Sequence, residues 1–226
     1  MILPSHLLTR APLWRSGGFL LAALLAGCAG GSASSAWQIE AEDSAARVSF
    51  AGGIIDIDTA KGLSLWYRAP LQGPVAISFE AMAVSEGGPN DAVSDLNAFW
   101  MATNADGSAV FSIPRSGAFA EYDDLKTYYV GVGGNRNSTT RFRRYVGKAG
   151  NRPLLPQHDR SDPAVLLQPN RWTHIRLIAD GARIAVERDG APLFTLEDPE
   201  PYRRGHFAIR TTKSHLRVAH FRISRP

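Results

Sequence analysis

The sequence predicts an all-β fold, a sandwich or a barrel, on three observations. Short runs of β-branched and aromatic residues recur along the chain, and turn-forming residues separate them at intervals of roughly 8 to 12 residues. No stretch sustains a helical apolar period.

Residues 63–68, 75–81, 97–102, 126–132 and 139–145 read as the first clear strands, followed by 173–179, 183–188, 193–196, 205–210 and 216–223. Asp180-Gly181 and Asp189-Gly190 lie between alternating apolar runs and supply positive-φ positions, which marks residues 171–196 as an antiparallel meander joined by tight hairpins. Strand 205–210 alternates apolar with polar, as a half-buried strand does. In 216–223 the apolar positions Leu216, Val218, Ala219 and Phe221 change phase, so the pattern leaves the register open. Residues 152–170 contain Pro153, Pro156, Pro163 and Pro169, which excludes a central strand and predicts a long loop.

Upstream of the first strand, Arg10 and Arg15 precede the apolar run 19–25 and the small residues Ala26-Gly27-Cys28. This is signal-peptide order, and the apolar run is shorter than the ~20 residues a membrane span needs. Leu25-Ala26-Gly27-Cys28 also matches a bacterial lipobox. The expected organisation is a lipoprotein signal peptide over 1–27, lipidation at Cys28, a flexible Gly/Ser tether over 28–36 and one domain over 37–226. The domain then sits in the bacterial cell envelope, on its periplasmic or outer-membrane face, touching the membrane through the lipid anchor only. Cys28 is the single cysteine, so no intrachain disulfide forms and stability must come from a buried core.

The formal charge is +4, but removing Arg10 and Arg15 leaves 23 basic against 21 acidic side chains. That balance and the envelope location argue against a nucleic-acid partner. Arg136, Arg141, Arg143, Arg144, Lys148 and Arg152 nevertheless cluster, which marks either one anion-attracting face or a solvated strand face.

The order Trp-Thr-His-Ile-Arg-Leu-Ile-Ala (172–179), Asp-Gly, Ala-Arg-Ile-Ala-Val-Glu-Arg-Asp-Gly (182–190), Gly-His-Phe-Ala-Ile-Arg-Thr (205–211) and Val-Ala-His-Phe-Arg-Ile (218–223) resembles the C-terminal half of concanavalin A-like lectin/glucanase domains. Blocks 94–103 and 128–142 are similar to a bacterial family without assigned function, related to YesU-like proteins of pectin-degradation gene clusters. The resemblance spans 37–224. It implies a jelly roll of two antiparallel sheets, one curved into a sugar-binding groove, but a fold hosts many activities.

On a strand over 97–102, Asp95, Asn97, Phe99 and Met101 share one face. An acid, an amide and a ring suit a groove wall that bonds sugar hydroxyls and stacks on a sugar; the alternative is strand-start residues with Phe99 in the core. Thr127, Tyr129 and Gly131 face one way on the next strand, and Arg141, Arg143 and Tyr145 on the one after can line the same groove. Arginine forks bind carboxylates bidentately, which fits uronic acids. A lyase needs a group that neutralises the uronate and a residue that moves protons. Tyr129, Arg141 and Asn97 are the candidate catalytic residues, with Asp95, Phe99, Asn135, Arg136 and Arg143 as candidate substrate contacts. An arginine-rich outer strand with inward tyrosines is the alternative.

Other chemistries fit less well. Gly131-Val132-Gly133-Gly134 lacks the Lys-Ser/Thr of a phosphate loop. The Glu-x-Asp-x-x-Glu pattern of hydrolases on this fold finds its nearest match at 121–126, where Lys126 takes the place of the final acid. Glu121, Asp123 and Asp124 are candidate acids, calcium ligands or solvated loop residues. The Arg-Ser/Thr-Glu-Leu-Arg block of alginate lyases is absent. His158, His174, His206, His215 and His220 show no metal-ligand spacing, so no cofactor is predicted. A structural calcium ion, common in sugar-binding jelly rolls, is compatible with the chain but has no assigned ligands.

The leading expectation is a lyase or glycoside hydrolase acting on oligosaccharides or polysaccharides, with anionic, uronate-bearing glycans as the candidate class. The alternative is a carbohydrate-binding surface lipoprotein without catalysis. A third reading is an enzyme resembling the 3-keto-disaccharide hydrolases of the same fold.

Overall fold

The β-favouring runs form the strands β1 (Trp37–Ala41), β2 (Arg47–Ala51), β3 (Ile54–Thr59), β4 (Leu63–Gln72), β5 (Val75–Ala83), β6 (Leu96–Thr103) and β7 (Lys126–Gly133). They continue as β8 (Thr139–Val146), β9 (Asp159–Arg160), β10 (Thr173–Asp180), β11 (Arg183–Arg188), β12 (Ala191–Glu197), β13 (Arg204–Thr211) and β14 (Ser214–Ser224). The structure is a computed structural model that describes Met1 and residues 33–226. The expected signal peptide and the lipidation at Cys28 lie outside the described residues. Ala33–Ala36 form a 3-10 turn leading directly into β1.

Two seven-stranded sheets stack as a jelly-roll sandwich. The first runs β1-β4-β13-β6-β7-β8-β9 and the second β12-β11-β10-β5-β14-β3-β2, with every strand pair antiparallel. The meander over β10, β11 and β12 turns at Gly181 (φ 59°) and at Asp189 and Gly190 (φ 51° and 80°), the positive-φ positions that the sequence marks. Between the sheets lies the main core, with Leu65, Trp100, Tyr128 and Phe142 of the first sheet facing Ile77, Phe79, Leu177 and Val186 of the second.

A second core covers the other face of the first sheet. Residues 104–125, which link β6 to β7, fold back as two 3-10 turns and lay Val110, Tyr122 and Leu125 over Trp66, Phe99, Tyr129, Tyr145 and Ala208. Central strands β6 and β7 are therefore buried on both faces. Inside this layer Glu40 accepts hydrogen bonds from Trp66 Nε1 (2.9 Å) and Tyr122 Oη (2.7 Å), and burial raises its carboxyl above the ordinary glutamate value.

Three details differ from the expectations. Strands β1, β2 and β3 carry no strong sequence signal, because β1 and β2 are short and the run over β3 follows directly on Gly52-Gly53. Met101 does not share a face with Asn97 and Phe99: a bulge between Trp100 and Thr103, with Met101 at φ 55°, turns its side chain into the main core. A bulge between Ala219 and Arg222, with His220 at φ 54°, is the physical reason for the phase change in β14. Pro-rich residues 152–170 form an edge segment that pairs through the two-residue strand β9 and through a single bridge between Pro169 and Ala83.

Candidate functional site

Register aligns two neighbouring rows across the face of the first sheet that carries the second core. One row is polar: Glu40, Ser64, Arg210, Asn97, Gly131, Arg141 and Asp159 stand side by side on β1, β4, β13, β6, β7, β8 and β9. The row two residues along is mostly aromatic: Trp66, Ala208, Phe99, Tyr129 and Arg143. Neighbours in a row are about 4.8 Å apart between strands. Gly131 leaves a dip in the polar row, and the side-chain oxygens of Tyr129 and Asn97 both reach over it.

A cavity of about 470 Å³ opens above this dip. Strands β7 and β8 line it with Tyr129, Gly131, Arg141, Arg143 and Tyr145, and the linking segments add Phe119 and Arg152. Its remaining lining is Asp95, Thr212, Thr139 at the start of β8 and the turn that carries Asn135 and Arg136.

The expected residues thus divide into two groups. Asp95, Tyr129, Asn135, Arg136, Arg141 and Arg143 line one cavity. Asn97 and Phe99 lie beneath it. Phe99 is fully buried and stacks on Trp66 with ring centres 5.7 Å apart and planes 10° apart, so its ring supports the floor and is not open for stacking on a ligand. Asn97 is 2% exposed and its Oδ1 has no hydrogen-bond partner among the described residues.

The four arginines of the cavity are not equivalent. Arg141 is engaged with Asp159 through two contacts of 2.7 and 3.2 Å. Arg152 pairs with Asp123 at 2.7 Å and lies over the Phe119 ring. Arg143 donates to the Arg152 carbonyl at 2.6 Å, and Arg136 is exposed; neither has a carboxylate partner among the described residues. Burial pulls the Arg143 pKa down, with Arg152 and Arg141 acting in the same direction, yet a guanidinium stays charged at neutral pH. The cavity therefore keeps uncompensated positive charge, which an anion would relieve.

Burial also holds the Tyr129 phenol well above the ordinary tyrosine value, with Tyr145 and Asp95 adding to the effect, so it keeps its proton. Asp95 Oδ2 accepts hydrogen bonds from Ser94 and from Thr212 Oγ1 (2.8 Å), while Oδ1 has no partner among the described residues. Glu121 bonds the backbone and hydroxyl of Ser116, Asp123 holds Arg152 and Gly150, and Asp124 lies 3.7 Å from Arg115. These three acids fix the 104–125 segment and its neighbours.

Sequence reasoning missed Phe119, Thr212 and Arg210. Arg210 is 1% exposed; it donates to Ser64 Oγ (3.0 Å) and Gly117 O (2.7 Å) and lies over Phe119 and Tyr122 at 4.9 and 5.1 Å. The available signal was an arginine in phase with Ala208 on a strand otherwise read as half-buried. Among the described residues, no group of three or more His, Cys, Asp or Glu side chains converges to hold a metal ion.

The family model described as a domain of unknown function, DUF6250, matches residues 57–221. The chain belongs to the DUF6250 family. The matched span holds every cavity residue named above. No curated protein matches the chain. Among solved structures, it is similar to a protein of unknown function with a galectin-like fold from Bacillus subtilis, at 14% identity and TM-score 0.63, over 84% of this chain and 90% of that one. It is also similar to the carbohydrate-binding module CBM66 from Bacillus subtilis, at 9% identity and TM-score 0.57, over 84% and 95% of the two chains. The exoplasmic/lumenal domain of VIP36, solved with Ca2+ and Man3GlcNAc, matches at 9% identity and TM-score 0.54, over 84% of each chain. Identities this low establish the fold, a jelly-roll sandwich, and nothing finer.

Proposed function

We propose that the cavity over Gly131 binds an acidic sugar unit of an oligosaccharide or polysaccharide, with a uronate carboxylate seated on Arg143. The observation that carries this reading is a guanidinium without a carboxylate partner at the rim of an aromatic row. Arginine matches a carboxylate bidentately, and Phe119 and Tyr129 supply apolar surface for sugar carbons. Carbohydrate-binding neighbours of the same fold support the ligand class. We place the domain in the cell envelope, held by a lipidated Cys28, and keep YesU-like proteins as its proposed relatives.

Incubation of the purified protein with polygalacturonate, rhamnogalacturonan and alginate tests the proposal by affinity electrophoresis. Arms with added calcium and with a chelator are included because VIP36 was crystallised with Ca2+. Retardation by at least one polymer, lost in Arg143→Gln, is the expected result. Equal mobility on all three polymers and on their neutral counterparts ends the reading.

A second reading, β-elimination, rests on one further observation: Asp95 Oδ1 and the protonated Tyr129 hydroxyl, neither with a partner among the described residues, line the same cavity. Asp95 would take the proton from C5 of the uronate as the C4–O bond breaks, forming the C4=C5 double bond. Tyr129 would return a proton to the departing oxygen, and Arg143 would hold the carboxylate. Ultraviolet absorbance of unsaturated uronate reads this directly, and binding without any rise in absorbance removes it. Hydrolysis draws no support from the lining of this cavity, where Asp95 is the one carboxylate and glycosidases ordinarily need two.

A further inference from the structure

A second cavity, of about 740 Å³, adjoins the first and shares Asp95, Arg136 and Thr212 with it. The two adjoin along one stretch of surface, and Arg136 stands where they meet. Lys61 and Lys213 lie in the lining of the second cavity, both exposed and both without an ion-pair partner among the described residues. Glu42 shares that lining, but its Oε1 sits over Gly62 on the side of Arg210. A Cβ on Gly62 would come within 2.1 Å of that oxygen and 2.9 Å of Arg210 Nη2. The field of Arg210, buried and short of hydrogen-bond partners at Nε and Nη2, attracts this carboxylate. The surface beyond Asp95 is left with an excess of positive charge.

The backbone that presents Arg136 is an independent observation. Asn135, Arg136 and Asn137 occupy three consecutive left-handed conformations, at φ 53°, 58° and 57°. L-residues adopt this region at a cost, and a run of three persists only when its surroundings enforce it. Here the Asn137 amide donates to Leu167 O and its Oδ1 accepts from Leu167 N, both at 2.9 Å, while Ser138 Oγ donates to Asn135 O at 2.8 Å. None of these bonds uses the Arg136 side chain. The fold thus expends strain to hold an unpaired cation over the junction of two cavities.

We propose that Arg136, Lys61 and Lys213 form a second anionic subsite, so that the ligand is a chain carrying a further uronate beyond the unit on Arg143. This inference rests on the uronate reading of the first cavity and extends it to a polyanionic ligand lying across both cavities. Two tethered contacts raise affinity by more than either gives alone, because the second forms at high effective concentration.

Titration calorimetry on the full chain tests it, using galacturonate, glucuronate, mannuronate and guluronate as monomers and as their homotrimers. The readout is the ratio of trimer to monomer affinity for a sugar that binds. A ratio of at least about tenfold in the wild type, falling towards one in Lys61→Gln/Lys213→Gln and in Arg136→Gln, is expected. A ratio near one in the wild type, or one that survives in both variants, overturns the second subsite while leaving the first intact. Absence of binding to all eight sugars overturns both readings. A neutral trimer, maltotriose, is the control: tight binding to it shows that charge is not what the two cavities read, and sinks the proposal as well.

Discussion

The Tyr129 hydroxyl and the Asn97 side-chain oxygen close over the same bare backbone position. A Cβ on Gly131 would lie 2.7 Å from one and 2.8 Å from the other. Gly131→Ala therefore forces both oxygens aside and fills the cavity floor. It is expected to cost about 1–3 kcal/mol of stability by overpacking and to lower acidic-glycan affinity by an order of magnitude or more. Urea denaturation and calorimetry measure the two effects; unchanged affinity would mean that the dip is not part of the site.

Arg143 and Arg141 sit two residues apart on β8, but only Arg141 is matched by a carboxylate, Asp159. Removing Arg143 by mutation to Gln is expected to weaken uronate binding by about 10- to 100-fold, the size of a lost charged hydrogen bond. Its effect on the melting temperature is expected to be small, since no ion pair is broken. Lysine in its place should not recover the loss, because a point charge cannot form the planar fork. A larger loss from Arg141→Gln than from Arg143→Gln would contradict this ranking.

Phe99 is fully buried between Trp66, Tyr122, Tyr129 and Tyr145, with ring centres 5.1 to 6.0 Å away. Phe99→Ala opens a void under the cavity floor and is expected to cost about 3–5 kcal/mol. Phe99→Leu keeps most of the volume and should retain binding. If the alanine variant were as stable as wild type, the second core would not be a packed layer.

Asn137 ties the left-handed turn to Leu167 through two hydrogen bonds of 2.9 Å. Its replacement by alanine removes both and leaves a φ of 57° on a residue that disfavours it, for an expected loss of about 1–3 kcal/mol. Glycine tolerates that φ but cannot make the bonds, so the Asn137→Gly variant should recover part of the loss. Equal destabilisation by the two substitutions would assign the whole effect to the hydrogen bonds.

His215 on β14 bridges Asp56 on β3 and Asp91 in the segment after β5, at 3.1 Å from each ring nitrogen, with Arg217 also bonded to Asp56 and Asp58 nearby. Burial lowers its pKa, but the carboxylates outweigh that and raise it overall. The folded state therefore binds a proton more tightly than the unfolded one. The stabilisation is complete below the ordinary histidine value of about 6.5 and is lost as pH rises through the raised value. Melting temperatures taken across this range should fall with rising pH in the wild type and stay flatter in His215→Gln. The same slope in both would assign the dependence to another group.

Much of the fold was legible because strand and turn signals are local. The ten runs read from the sequence all lie within strands, and Asp180-Gly181 and Asp189-Gly190 turn where their chemistry requires. The bulge at Met101 was not legible, since a single residue in a left-handed conformation breaks the alternation without a sequence mark. Nor was the second core, because Val110, Tyr122 and Leu125 lie in a segment with no period of its own and are buried only against strands that belong elsewhere in the chain.

Local pattern was enough for the all-β class and for the strands that bear Tyr129, Arg141 and Arg143, because side chains two apart on a strand share a face, whereas Asp95 stands just ahead of β6 at φ 57°. Packing of distant strands was needed to set β6 and β7 in register with β13, so that Arg210, Asn97 and Gly131 form one row. Tertiary structure alone decided that Phe99 is floor and not lining, and that Asp159 occupies Arg141 while Arg143 is left without a carboxylate among the described residues. Register and charge pairing are relations between residues far apart in the chain, and no local pattern encodes them.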